Sequence, residues 1–269
     1  MSDFLKQMAG LSAQRAAAAA QGFKAAAFDR PVLPLRLNGF DVIAEVKDRS
    51  PSEGELAVEG RSRSEQAACY MRGGAAAISV LTEPSRFAGS LQHLDEVASL
   101  AAADGVPVMR KDFLVDPVQV LEARAAGASG VLLIAAMLSD RQMAGMLDCA
   151  YEHSLFVLLE SFDENDLRRT ANLLDADRHA GKAQENRLLV GVNTRNLRTL
   201  DVDSERLKNL ASLLPASATC VAESGLHAAA DAANAVALGY RMALVGTALM
   251  RSDDPQGLID GMLLAGRSA

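Results

Sequence analysis

Glu45 and Lys47 stand two residues apart in the run Val42-Ile43-Ala44-Glu45-Val46-Lys47, and Ser50 follows three residues later. On a β-strand, positions i and i+2 project from the same face. An acid and a base placed there are costly to bury unless each finds a partner. A salt bridge at a strand end would explain one such pair, but the pattern recurs. Lys111 follows the apolar run Val106–Arg110, and Glu160 follows Phe156–Leu159. Asn193-Thr194-Arg195 follow Leu188–Val192, and Glu223-Ser224-Gly225 follow Thr219–Ala222. Carboxylates and ammonium groups gathered in one cleft are the equipment of proton transfer, and the cations also bind anionic substrates.

Such a gathering needs a scaffold that brings distant strand ends together. β-rich runs recur at Val42–Val46, Ala76–Leu81, Val106–Arg110, Val131–Ile134, Phe156–Leu159, Leu188–Val192, Thr219–Ala222 and Ala243–Val245. Most are apolar on both faces, as in parallel strands covered by helices. Between them lie segments of helical length. Ser62–Arg72 opens on a capping box, and Asp116-Pro117 starts a helix that ends at Gly127. Leu91–Ala101, Ser139–Tyr151, Glu164–Leu174, Ser204–Leu213, Ala228–Leu238 and Pro255–Leu264 supply the others. Eight strand–helix units predict one α/β domain over residues 1–269, a (β/α)8 TIM barrel. Residues 1–40 form an N-terminal helical extension, Ala-rich from Phe4 to Phe23 and broken at Pro31 and Pro34. A doubly wound sheet would carry a Gly-rich first turn, which is missing. Asp175–Arg187 is expected to be an irregular surface loop away from the chemistry.

Composition narrows the function. The net charge of -7 argues against a general nucleic-acid binder but leaves room for an anionic small molecule in a locally cationic cleft. Cys69, Cys149 and Cys220 lack CxxC spacing and read as buried free thiols of a reducing compartment. The four histidines lack metal-ligand spacing, so neither a metal nor another cofactor is expected. No run has membrane-spanning length, and the N-terminal region has no apolar signal core. A cytoplasmic protein with no membrane partner is expected.

In this fold the site forms at the carboxyl ends of the strands. That rule converges Glu45, Lys47, Lys111, Glu160, Asn193, Arg195 and Glu223 on one mouth. Each has a plainer reading. Lys47 as a snorkelling lysine, Lys111 as the partner of Asp112, and Glu160 as an exposed acid near a helix start are about as good one by one. Together they share too small a volume to be coincidental. The last two strand ends, Glu223-Ser224-Gly225 and Gly246-Thr247, offer backbone N–H groups where this fold commonly holds phosphate. Tight turns at Gly225 and Gly246 are the competing explanation.

The motifs Ile43-Ala44-Glu45-Val46-Lys47 with Ser50-Pro51-Ser52, Arg110-Lys111-Asp112-Phe113, Gly191-Val192-Asn193-Thr194-Arg195-Asn196 and Glu223-Ser224-Gly225 resemble those of the indole-3-glycerol phosphate synthases of tryptophan biosynthesis. The segment Ile78–Glu83, with Phe87 and Gly89-Ser90, is also similar. The resemblance runs in order from about Val42 to Arg251. It implies closure of 1-(2-carboxyphenylamino)-1-deoxyribulose 5-phosphate to indole-3-glycerol phosphate with loss of carbon dioxide and water. By the same resemblance Lys111 is the acid on the ketone oxygen, and Lys47 touches the substrate anions. Glu45 and Glu160 orient the lysines and handle protons, and Asn193 belongs to the same machinery. Ser50, Phe113, Leu132, Arg195, Glu223 and Ser224 bind substrate, and Gly225, Gly246 and Thr247 bind its phosphate. Other enzymes of tryptophan biosynthesis are the implied partners.

Several positions depart from the family pattern. Asp48-Arg49 and Glu53 replace a mostly basic stretch, Thr194 stands for a second asparagine, and Ser161-Phe162 follow Glu160. These keep alternatives in view. They are another phosphate-binding barrel enzyme, such as an isomerase or a Schiff-base aldolase, or a non-catalytic paralogue that binds a phosphorylated ligand. An isomerase of that kind would need a cysteine and an aspartate at the strand ends.

Overall fold

The computed structural model describes residues 3–23, 28–50, 54–56, 61–175, 177–195, 197 and 202–269. Pro51, Ser52, Glu53 and Asn196 lie outside the described residues. Eight parallel strands close into a barrel: β1 (Asp41–Val46), β2 (Ala77–Leu81), β3 (Val108–Lys111), β4 (Gly130–Ile134), β5 (Phe156–Ser161), β6 (Leu188–Asn193), β7 (Thr219–Glu223) and β8 (Met242–Val245). β8 returns to β1 in register, Asp41 beside Met242 and Ala44 beside Val245. The strands stand within a residue or two of the apolar runs read from the sequence.

The helices between strands are set by their caps. Ser62 and Glu65 cap each other's backbone at the start of α2 (Arg63–Arg72), after the N-terminal α1 (Asp3–Gly22). α3 (Leu91–Asp104) starts on Ser90 and ends on Gly105 in the left-handed region, φ 68°. Asp116 with Gln119, and Ser139 with Gln142, form capping boxes on α4 (Pro117–Ala125) and α5 (Asp140–Glu152). α6 spans Glu164–Leu174. None of the helices in the described residues is long and apolar enough to cross a membrane.

Two expectations need correction. The stretch Asp175–Arg187 is not an irregular loop, because Asp177–Gln184 forms a helix, α7, ahead of β6. Its many charges conceal one apolar stripe: His179 and Ala183, four residues apart, are both buried while Gln184 and Glu185 face solvent. It does lie before the amino end of its strand, away from the strand mouths. Ser204–Leu213 is likewise only partly regular, with α8 (Arg206–Leu210) tightening into a 3-10 turn. α9 (Ala229–Ala237) and α10 (Pro255–Arg267) complete the ring. Single helical turns at Pro84–Phe87 and Thr247–Met250, and a hairpin pairing Arg49–Ser50 with Gly54–Glu55, decorate the mouth.

Register decides what the barrel holds inside, since paired residues of neighbouring strands share a face. Glu45 pairs with Ser79, Leu81 with Lys111, Ile134 with Glu160, and Asn193 with Glu223. One inward series therefore carries Glu45, Lys111, Glu160, Asn193 and Glu223. Below them the interior is apolar, with Ile43, Met109, Leu132, Leu158, Leu189 and Met242 buried. Gly130 stands beside Phe156 in this interior, and a β-carbon on Gly130 would collide with the Phe156 ring. Gly130→Ala should overpack the barrel and destabilise it by about 1–3 kcal/mol. A urea titration would show a lower midpoint with an unchanged slope, and an unchanged midpoint would contradict the packing argument.

Candidate active site

The carboxyl ends of the strands surround a cavity of about 510 Å³. Glu45, Lys47, Ser50, Lys111, Phe113, Leu132, Glu160, Asn193, Arg195, Glu223, Ser224, Gly225, Gly246 and Thr247 all line it. Every residue given a catalytic, substrate-binding or phosphate-binding role by the resemblance is thus at one mouth, though lining a cavity does not assign that role. None of the three cysteines lines it. Cys220 is buried, whereas Cys69 and Cys149 are half-exposed rather than buried as expected. Burial pushes the Cys220 and Cys149 thiols up to about 12 and about 11, so both are poor nucleophiles. The cysteine-dependent isomerase reading finds no group to serve it.

The centre of the cavity is an ionic cluster. Lys111 Nζ lies 3.2 Å from Glu160 Oε2 and 3.6 Å from Glu223 Oε2. Lys47 Nζ lies 2.8 Å from Glu45 Oε1. Asn193 Nδ2 donates to Glu160 Oε1 at 3.1 Å, so Glu160 is held from both sides. Lys111 therefore does not pair with Asp112, and Glu160 is buried rather than an exposed loop acid. Asp112 turns the other way and gathers donors from three elements. Thr82 Oγ1, Arg110 and Arg15 reach its carboxylate at 2.8, 3.1 and 2.6 Å, and the Phe113 N–H adds a fourth bond. This hub anchors the backbone next to Lys111.

Proton affinities within the cluster diverge. Burial pushes the Glu223 carboxyl well above the usual range, and the neighbouring negative charge of Glu160 pushes the same way. Lys111 offsets only part of this. Burial pushes Glu45 up too, but Lys47, Lys111 and Arg195 outweigh it and hold Glu45 below its ordinary value. For Lys111, burial favours the neutral amine, yet Glu160, Glu223 and Glu45 together raise its proton affinity. Crowding therefore does not make Lys111 a weak base. It is a firmly held ammonium, and the two glutamates at the extremes are the groups set apart in acidity.

One wall is apolar and partly contributed by the N-terminal helix. Phe4 of α1 meets Phe113 edge-on at 5.9 Å, and Phe87 packs on Phe113 at 6.1 Å. Leu81, Ile134, Leu197, Val202 and Leu244 add apolar lining elsewhere around the cavity. Sequence reading missed Phe4 and Arg15, whose partners lie far away in the chain and carry no local sign of them. It also missed Arg206, which donates to the carbonyls of Asn193 and Thr194 at 3.0 and 2.9 Å and fixes that strand end.

The opposite rim holds the glycines. Ser224 and Gly225 both have positive φ, 65° and 75°, so the chain reverses sharply after β7. Thr194 does not line the cavity; its hydroxyl lies under this turn, 3.2 Å from where a Gly225 β-carbon would stand. Gly246 has another reason to lack a side chain: a β-carbon there would collide with Glu45 Oε1 and approach Lys47 Nζ to 2.9 Å. Asp48 and Arg49 also stay out of the cavity. Asp48 pairs with Arg63 at 2.6 Å and Arg49 with Glu55 at 3.8 Å.

A raised carboxyl pKa has a definite linkage sign. Glu223 favours the folded state most below its ordinary value near 4.5, and that contribution is lost as pH rises through its raised native value. Glu223→Gln removes the penalty of ionising there. The variant should melt above the native protein at pH 8, with the gap shrinking toward pH 5, as measured by thermal unfolding across pH. A gap that is flat or grows toward acid pH would contradict the assigned environment.

The indole-3-glycerol phosphate synthase family model matches residues 6–262. The indole-3-glycerol phosphate synthase of Nocardioides sp. is 46% identical over 232 residues, covering 86% of this chain and 83% of that protein. That of Mycobacterium tuberculosis is 39% identical over 263 residues, covering 96% and 91%. Among solved structures, 3-hexulose-6-phosphate synthase from Salmonella typhimurium superposes with a TM-score of 0.61 at 12% identity, covering 85% of this chain and 99% of that one. That likeness speaks to the fold alone. With a family match over nearly the whole chain and relatives of this identity, the chain belongs to the indole-3-glycerol phosphate synthase family.

Proposed function

We propose that the protein is a carbon–carbon lyase that closes 1-(2-carboxyphenylamino)-1-deoxyribulose 5-phosphate to indole-3-glycerol phosphate, with release of carbon dioxide and water. The observation that carries this reading is the pairing of two half-buried lysines with three buried glutamates at one strand mouth, between an apolar wall and a glycine-rich rim. The substrate has the matching parts: an aromatic acid at one end, a phosphate at the other and a ketone between them.

The phenyl ring lies against Phe113 and Leu132, with Phe4 and Phe87 behind Phe113. The phosphate takes backbone N–H groups of the Ser224-Gly225 and Gly246-Thr247 turns, where a carboxylate or bulky side chain would intrude. Ser50 and Arg195 flank the carboxylate and sugar. This extended pose brings the ketone to Lys111.

In the first step the ring carbon that bears the carboxylate attacks the ketone carbon. The carbonyl oxygen takes a proton from the Lys111 ammonium. That transfer is favourable despite Lys111's high proton affinity, because the developing alkoxide is a stronger base than an amine. Glu160 and Glu223 stabilise the ammonium in the ground state and are placed to return a proton to the amine. Carbon dioxide then leaves, and its bonding electrons restore the aromatic ring. Finally the new hydroxyl departs as water, with a proton from Lys47, while Glu160 accepts the proton from the adjacent carbon. Asn193 keeps Glu160 aimed through its 3.1 Å hydrogen bond.

No cofactor enters this scheme. A biosynthetic role of this kind places the protein in the cytoplasm beside other enzymes of tryptophan biosynthesis. Incubation with the synthetic substrate should produce indole fluorescence, and a folded protein giving no signal would overturn the reading. Lys111→Ala should retain the barrel but lower kcat by at least about 10²–10⁴-fold, the usual worth of a positioned acid. Its stability should also fall, because the buried carboxylates lose their cation. Steady-state kinetics that left kcat unchanged would remove Lys111 from the acid role.

A further inference from the structure

Glu223 poses a positioning problem. Its carboxyl is fully buried, yet neither oxygen accepts a hydrogen bond among the described residues. Lys111 at 3.6 Å attracts it but is too distant for a strong directional bond, and Lys111 is drawn closer to Glu160 at 3.2 Å. Once protonated it can share a proton with Glu160, but that contact needs the carboxyl to be seated beside it first.

The neighbouring strand supplies the seat. Gly191 is inward-facing on β6, level with Glu160 on one side and Val221 on the other. A β-carbon on Gly191 would collide with Glu223 Oε1 and stand 3.1 Å from both Glu223 Cδ and Leu158 Cδ1. The glycine is not there for its backbone, since its φ lies outside the left-handed region. A glycine inside a strand costs about 0.5–1 kcal/mol relative to alanine and offers nothing to pack. The space it leaves is filled by the Glu223 carboxyl. The arrangement is repeated at Gly246, whose empty side-chain position is filled by Glu45 of the adjacent strand.

We propose that Gly191 is a positioning residue: its missing side chain forms the slot that seats the Glu223 carboxyl beside Lys111 and Glu160. The slot walls confine a group that no donor side chain holds in place. Filling it expels the carboxyl toward the cavity and separates the second acid from the ammonium. The activity part of this inference rests on the ring-closing reading above; the seating itself does not.

A four-member cycle tests it, comprising the native protein, Gly191→Ala, Glu223→Ala and the double variant. Thermal unfolding requires no turnover. Gly191→Ala should lower the Tm of the native protein, and the same substitution should have a clearly smaller effect in the Glu223→Ala background, where the Glu223 atoms are gone and only Leu158 Cδ1 at 3.1 Å must give way. In the activity assay Gly191→Ala should lower kcat by at least about tenfold with KM changed by less than about twofold, since misplacement by about an ångström costs rate rather than binding. Adding Glu223→Asp to Gly191→Ala should recover part of kcat, because the shorter side chain clears the alanine. If Gly191→Ala fails to fold but the double variant folds, the slot is supported. An equal loss of Tm in both backgrounds, failure of both to fold, or an unchanged kcat in an active enzyme would overturn it. A native protein without turnover would instead defeat the ring-closing reading, leaving the Tm cycle to decide the slot.

Discussion

The ammonium of Lys111, held between the carboxyls of Glu160 and Glu223 inside a closed barrel, is the interaction on which the rest of this structure depends. Burying any one of these groups alone would be prohibitive, and burying them together is tolerable only with fixed geometry. The barrel meets that condition by register. Strand closure puts Lys111, Glu160, Asn193 and Glu223 on one inward series, and Asn193 and the Asp112 hub lock the two ends of the arrangement. The cluster is not electrically uniform. The cation keeps its proton firmly, one acid is driven toward its neutral form, and another across the mouth is held ionised.

The same constraint explains why elements far from the chemistry are needed. Arg15 of α1 reaches Asp112, next to Lys111, and Gln119 of α4 donates to the Ser12 hydroxyl at 2.8 Å, tying the N-terminal helix to the end of β3 and to the helix that follows it. Once docked, that helix sets Phe4 against Phe113 and completes the apolar wall. A barrel without this helix would leave Phe113 without its edge-on partner and Asp112 with one cation fewer. The N-terminal extension is thus part of the cavity rather than an appendage.

Much of this was legible in the sequence because the period-two alternation of a strand is strict. Glu45 and Lys47 had to share a face, and the polar residues that end the apolar runs had to meet if the runs formed a barrel. The capping box at Ser62 and the N-cap at Asp116 before Pro117 were equally readable, since both depend on residues close together in the chain. What escaped depends on distance along the chain. Nothing local to Phe4, Arg15 or Arg206 states that each closes a contact with another element, and the helix Asp177–Gln184 hid its two buried positions among charges. Gly191 escaped for a further reason: within its motif it reads as a plain strand residue, and its value is the volume it leaves for a side chain on the next strand. The sign of the Lys111 shift escaped as well. It depends on three carboxylates outweighing burial, a balance that composition does not reveal.

The most direct test of this account is the titration of the Glu223 carboxyl itself. In protein labelled with ¹³C at the glutamate carboxyl, the resonance absent from the Glu223→Gln variant belongs to Glu223. The account predicts that this resonance titrates well above the ordinary glutamate range while the Glu45 resonance titrates below it. Glu223 and Glu45 titrating together near the usual value would contradict the claim that one buried cluster sets their acidities apart.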